Sequence, residues 1–220
     1  MRDLIMVDEK IVEAVKKARE DTKKRNFKQS FDLAISLKNI DLKKAENKIK
    51  TEIAMPHGFG KEFKIGIIAD ILVSKAKELG DKIILIKKDD LERLGKDKKQ
   101  AKKMAKKCKA FVAEAPLMPL VGKNLGPILA PRGLMPQPVP PTLPSFEPII
   151  KRSSSSLKIA LKTSPVVHCL VGNEDMDDTK IAENIEAVIK GLRNSLPRGK
   201  EQLKLAYVKL SMGKPHKFDL

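Results

Sequence analysis

Near the end of the chain the run KLSMGKPHK brings Ser211, Gly213, Lys214 and Lys217 close together. A hydroxyl, a glycine that lets another backbone approach, and two ammonium groups suit contacts to sugar, 2′-hydroxyl and phosphate. Composition alone reads the same run equally well as an exposed turn. A second basic run, Lys96 to Lys109, could neutralise several phosphates, each contact steepening the salt dependence of binding; the other reading is a solvated helix face.

The remaining candidates point away from catalysis. Gly58-Phe59-Gly60 followed by Lys61 lacks the full spacing of either phosphate-binding glycine motif. It reads as a turn between domains in which Gly58 and Gly60 supply the backbone freedom of a hinge. His57, His168 and His216 are scattered, with no HExxH and no carboxylate at ligand spacing, so no metal is expected. His168, in the apolar run VVHCLV, reads as a satisfied sheet histidine. Ser153 to Ser156 lack a nucleophile-elbow context. Cys108 and Cys169 belong to no CxxC pair and read as reduced core thiols. No catalytic residue and no cofactor follows from this inventory.

The whole composition favours a polyanionic partner. Among 220 residues, 45 Lys+Arg face 28 Asp+Glu, a formal charge of +17. Aromatics are only 4%, with one Tyr and no Trp, so the core must be aliphatic and platforms for many stacked bases are not expected. Charged residues alternate with Val/Ile/Leu runs, which argues for a folded chain. No apolar stretch approaches the ~18 residues of a membrane span, and MRDLIMVDEK does not resemble a leader, so a cytoplasmic protein is expected.

These residues must be positioned by the elements around them. Ile11, Val12, Val15 and Ala18 recur at helical spacing, with Asp8 placed to cap the start. Phe31, Leu33, Ile35 and Leu37 alternate with Asp32, Ala34, Ser36 and Lys38, the period of a strand buried on one face. A second strand is expected over 48–55. From Lys61 onward, FKIGIIADIL and DKIILIKK are continuous apolar runs separated by the helix-like LVSKAKELG. That is the pattern of parallel strands covered on both faces. The stripe Ala101, Met104, Ala105 and Cys108 anchors a basic helix ahead of a strand over 110–115. Prolines crowd Pro116 to Pro148 and predict an ordered loop with short helical turns. LKIALKT and VVHCLVG predict a hairpin through Ser164-Pro165. Ile181, Ile185, Val188, Ile189 and Leu192 mark a long helix, and a last strand covers 203–211.

Neither chain end has a complete core alone, so the two are expected to share one sheet with the middle region inserted between them. The division is 1–60 plus 154–220 for a discontinuous terminal domain and 61–153 for the insert.

Several motifs, in order along the chain, carry a family resemblance: QSFDLAISLKNID, PHGFGK, LGPILAPRGLMP, VGNEDM and YVKLSMGKP. The chain resembles the ribosomal protein L-one family, the first-numbered protein of the large subunit, in its archaeal form. The resemblance implies an α/β and α+β protein of two domains. One is a split βαβ-type sheet domain from both termini, the other an inserted Rossmann-like open α/β domain. It implies a monomer within the large ribosomal subunit that binds the mobile stalk of large-subunit rRNA near the exit site. It further implies assistance in releasing deacylated tRNA from that site, and repression of the protein's own mRNA through a similar RNA structure. On the terminal domain, Phe31 and the strand end Ser211-Met212-Gly213, with Lys214, match the recognition motifs; Lys38 and Lys50 are neighbouring phosphate contacts. The family commonly carries Thr where this chain has Ser211, so the hydroxyl is kept and a methyl is lost.

Two rival readings stand beside it. A nucleotide-dependent enzyme could use the inserted α/β domain. A charge-only binder of DNA or of a membrane surface would need no specific site.

Overall fold

The computed structural model describes residues 9–42, 49–61, 63–70, 72–73, 80, 83–142, 145–161 and 164–220. Asp8, Lys48 and most of LVSKAKELG lie outside them. The chain divides into two compact units, one from Met1–Lys61 with Ser155–Leu220, the other from Glu62–Ser154.

In the first unit, strand β1 (Ser30–Leu37) follows helix α1 (Glu9–Glu20) and alternates strictly between buried and half-buried positions. Its buried members Phe31, Leu33, Ile35 and Leu37 are those the sequence pattern places inside. Strands β8 (Val166–Asn173), β9 (Leu203–Leu210) and β10 (His216–Asp219) complete an antiparallel sheet in the order β10-β9-β1-β8. Helix α1 and a helix at Asp178–Ser195 bury Val15, Ala18, Ile181, Ile185, Val188 and Leu192 in the core of this unit. Among the described residues no helix packs on the other sheet face, and its side chains are half-buried or exposed.

A separate two-stranded sheet pairs β2 (Lys50–Ala54) with β7 (Ser156–Ala160), Lys50 opposite Ala160. The helix at Asp178–Ser195 packs on it closely: a Cβ on Gly191 would come within 2.6 Å of Ile53 Cδ1.

The second unit is a parallel sheet in the order β4-β3-β5-β6, from β3 (Lys64–Ile68), β4 (Ile83–Ile86), β5 (Cys108–Glu114) and β6 (Gln137–Val139). Both faces are covered, which is why its strands read as unbroken apolar runs. One side packs Ile68, Ile86, Phe111 and Leu129, the other Ile65, Ile67, Val112 and Phe146. Glu114, buried at the end of β5, accepts a hydrogen bond from the Leu72 N–H at 2.8 Å. The fold is thus α/β with α+β character, as the resemblance implies.

Several local expectations change. The anticipated hairpin is absent: β7 pairs with β2 and β8 pairs with β1, so the segments around Ser164 belong to different sheets. The basic region is two helices, α2 (Lys88–Lys96) and α3 (Lys98–Lys107). Asp97 separates them because its carboxylate accepts from the N–H groups of Lys99 and Gln100 and caps the second. As expected, the proline-rich segment builds short helical turns, α4 (Met118–Asn124) and α5 (Gly126–Leu129), and it adds edge strand β6, where Pro138 is tolerated. Ser153 to Ser155 end α6 (Glu147–Ser155); the helix at Asp178–Ser195 is α7. Finally, His168 is exposed on the uncovered sheet face rather than enclosed.

Candidate nucleic-acid interface

The sheet of the first unit ends where β1 begins and β9 stops. Ser30 and Ser211 meet there: the Ser211 N–H donates to Ser30 O at 3.0 Å and the Ser30 N–H donates to Ser211 Oγ at 3.3 Å. The Ser211 hydroxyl therefore closes the strand ends. Lys61 Nζ donates to Ser30 Oγ at 2.5 Å and places an ammonium on the same edge.

Beyond the strand end the chain turns tightly. The Gly213 N–H donates to Leu210 O at 2.8 Å, and the Met212 N–H donates to Gln29 Oε1 at 3.2 Å. Gln29 is buried, its own N–H donates to Glu174 Oε2, and its carbonyl accepts from the Glu174 N–H. The Met212 side chain, left outside this bonded frame, is 61% exposed. A Cβ on Gly213 would overlap Thr22 Oγ1, so the glycine is required by close approach to the end of α1.

The loop between α1 and β1 supplies charge and an aromatic. Lys23, Lys24, Arg25 and Lys28 are exposed, as is Lys214 across the tip. Phe27 is 54% exposed, an unusual state for a phenylalanine without a partner surface. Lys28 pairs with Asp175 at 2.6 Å, and that hydrogen bond and charge hold its pKa above the ordinary lysine value.

Phe31, expected among the recognition residues, is fully buried, lying beneath the Arg19 guanidinium at 5.4 Å from ring centroid to Cζ. Arg19 in turn donates to Glu174 O at 2.6 Å, to Met176 O at 2.8 Å and to the Asp178 carboxylate, joining α1 to the start of α7. Phe31 therefore supports the tip from below, and Phe27 is the aromatic that faces outward. Sequence alternation already placed Phe31 with the core residues, whereas nothing in the polar run KKRNFK distinguishes Phe27 from loop filler.

Lys38 and Lys50 also lie elsewhere. Lys38 follows the opposite end of β1, a strand whose eight residues span about 25 Å. Lys50 is exposed at the start of β2 in the other sheet. The structure thus gathers Ser211, Met212, Gly213 and Lys214 and leaves both lysines outside their patch.

Gly58 and Gly60 have positive φ values of 62° and 66°. Their turn is clamped to the first unit: Asn184 Nδ2 donates to Gly58 O at 2.9 Å and to Val171 O at 2.8 Å. A Cβ on Gly60 would come within 2.9 Å of Met176 Sδ. His57 pairs with Glu183. The glycines here permit a docked turn.

Among the described residues no group of three or more His, Cys, Asp or Glu could hold a metal ion. Among the described residues no helix is long and apolar enough to cross a membrane. Burial pushes the Cys108 thiol up to about 11 and the Cys169 thiol up to about 12, so neither is a ready nucleophile.

A family model described as the ribosomal protein L1p/L10e family matches residues 5–214. The chain is 49% identical to the large ribosomal subunit protein uL1 of Thermococcus kodakarensis over 93% of this chain and 94% of that protein. It is 48% identical to uL1 of Methanothermobacter thermautotrophicus, covering 94% and 97% of the two chains. Against uL1 of Methanocaldococcus jannaschii the identity is 46%, with 93% of each covered. These relatives are named as ribosomal proteins and not as enzymes, which leaves the nucleotide-dependent enzyme without support.

Proposed function

The chain belongs to the ribosomal protein L1p/L10e family, and we propose that it serves as a cytoplasmic, monomeric rRNA-binding protein of the large ribosomal subunit. The observation that carries this reading is the tip of the first unit. There Met212 and Phe27 stand exposed among Lys23, Lys24, Arg25, Lys28 and Lys214, on a frame locked by Ser30, Ser211 and Gln29. Exposed apolar side chains among cations suit a folded RNA contour, where stacking and packing give fit and ammonium groups give salt-sensitive affinity.

The finer reading follows the resemblance. The RNA is the mobile stalk near the exit site, and binding there assists release of deacylated tRNA. A similar fold in the protein's own mRNA lets the free protein repress its translation. The terminal unit, 1–60 plus 154–220, is the RNA-binding domain in this account, and the insert is not required for recognition.

Filter-binding titration at physiological salt tests it, comparing a large-subunit stalk rRNA fragment with a scrambled transcript of equal length. Strong preference for the stalk is expected. Equal binding of the two would reduce the protein to a charge-only binder.

A further inference from the structure

The uncovered face of the four-stranded sheet continues directly from the tip. Along β1 the residues facing outward are Ser30, Asp32, Ala34 and Ser36, and along β9 they are Tyr207 and Lys209, followed by Ser211. Register sets Tyr207 and His168 on either side of Ala34 in one row, and Lys209 and Leu170 on either side of Asp32 in the next. These groups line an open concavity of about 700 Å³, the size of a small-molecule site.

Its floor and walls leave room for an aromatic ring. The Ala34 methyl keeps the centre low, while Tyr207 and His168 rise from strands two intervals apart, about 9.5 Å. A planar ring sandwiched between two others needs about 7–8 Å from wall to wall, within the spacing of these two strands. The end of the slot is chemically selective. A carboxylate only accepts and can take two donors at once, whereas an ammonium only donates. Burial pushes the Asp32 carboxyl above the ordinary aspartate range, while Lys209, Lys61 and His168 pull it back toward the charged form. Among the four bases, guanine alone offers two adjacent donors, N1–H and N2–H, beside an acceptor, O6.

We propose that this face seats a single unpaired guanine of a bound RNA strand, its ring over Ala34 between Tyr207 and His168, its donor edge on Asp32 and its O6 toward Lys209. The proposal rests on the reading of the unit as an RNA binder, and it assigns a second contact to the strand as it leaves the Ser30–Ser211 edge. Lys61, bonded to Ser30 at that junction, lies where the connecting phosphate would pass.

The full chain titrated with fluorescently labelled hexamers UUGUUU, UUAUUU, UUCUUU and UUUUUU, read by anisotropy, tests the slot apart from the tip. The guanine hexamer should bind about fivefold or more tighter than the other three. Ala34→Phe, which fills the slot, and Asp32→Asn should each erase that preference. His168→Ala, an exposed substitution that leaves the core untouched, should weaken it too. Equal affinities for the four hexamers, or a guanine preference that survives all three substitutions, would overturn the proposal. Binding of the stalk rRNA fragment is measured on the same variants. Its loss in Met212→Glu with the hexamer preference intact would leave the slot standing, and specific stalk binding by a chain indifferent to guanine would refute the slot alone.

Discussion

Thr22 Oγ1 occupies the space that a Cβ on Gly213 would fill, and the same hydroxyl donates to Ala18 O at 2.7 Å in the last turn of α1. The tip turn is therefore shaped by steric contact with α1 as well as by its own hydrogen bonds. Gly213→Ala should destabilise the fold by about 1–3 kcal/mol through overpacking. Removing the obstructing hydroxyl with Thr22→Ala should recover part of that loss in the double variant. Urea denaturation of the four-member cycle should give a coupling of at least about 0.5 kcal/mol. Simple additivity would mean that the two residues do not meet.

Phe27 is exposed and Phe31 fully buried, so their substitutions should separate RNA binding from stability. Phe31→Ala should cost about 3–5 kcal/mol of stability, because a fully buried ring is deleted beneath Arg19. Phe27→Ala should leave Tm nearly unchanged yet weaken stalk rRNA binding by about 1–3 kcal/mol, the scale of one lost stacking contact. Thermal melts and filter binding on the two variants would expose a reversed pattern at once.

Met212 and Lys214 are expected to fail differently. Met212→Glu puts a carboxylate where RNA should pack, so specific affinity falls while melting is unaffected. Lys214→Ala should weaken stalk and scrambled RNA alike and lower the slope of log K against log salt by about 0.7–0.9. A Lys214 effect confined to the stalk would make it a recognition residue instead of a charge.

Sequence patterns reached the tip only partway. Alternation in β1 places Phe31, Leu33 and Ile35 inside because a strand with one covered face must alternate. Continuous apolar runs identified β3, β4 and β5 for the equivalent reason, coverage on both faces. What escaped were relationships between residues far apart in the chain. Lys50 pairs with Ala160 and Ile53 with Leu157 across more than a hundred positions, so a local turn signal at Ser164-Pro165 was read as a hairpin. The Ser211 hydroxyl was legible as a polar group, but its bond to Ser30 was not. Gln29 likewise looks like any loop glutamine until its amide is seen holding the Met212 turn.

Asp32 gives the fold a pH dependence of definite sign. Its pKa is raised in the folded state by burial, so between the ordinary aspartate value and the raised one the native chain holds more protons than the unfolded chain. The contribution to stability is fully present below the ordinary value and is lost as pH rises through the raised one. Asp32→Asn should remove that component. Chemical denaturation of the wild type and the variant from pH 3 to 7 should show the variant gaining relative stability as pH rises; a relative loss would contradict the assignment.

Photocrosslinking from the tip tests the central claim most directly. A photoreactive amino acid at position 212, and in a separate protein at position 103 on the basic helix α3, is irradiated in the presence of large-subunit rRNA. Position 212 should yield crosslinks confined to one stalk segment and suppressed by unlabelled stalk but not by scrambled transcript. Confined, competable crosslinks from position 103 with none from position 212 would place recognition on the insert and contradict the account.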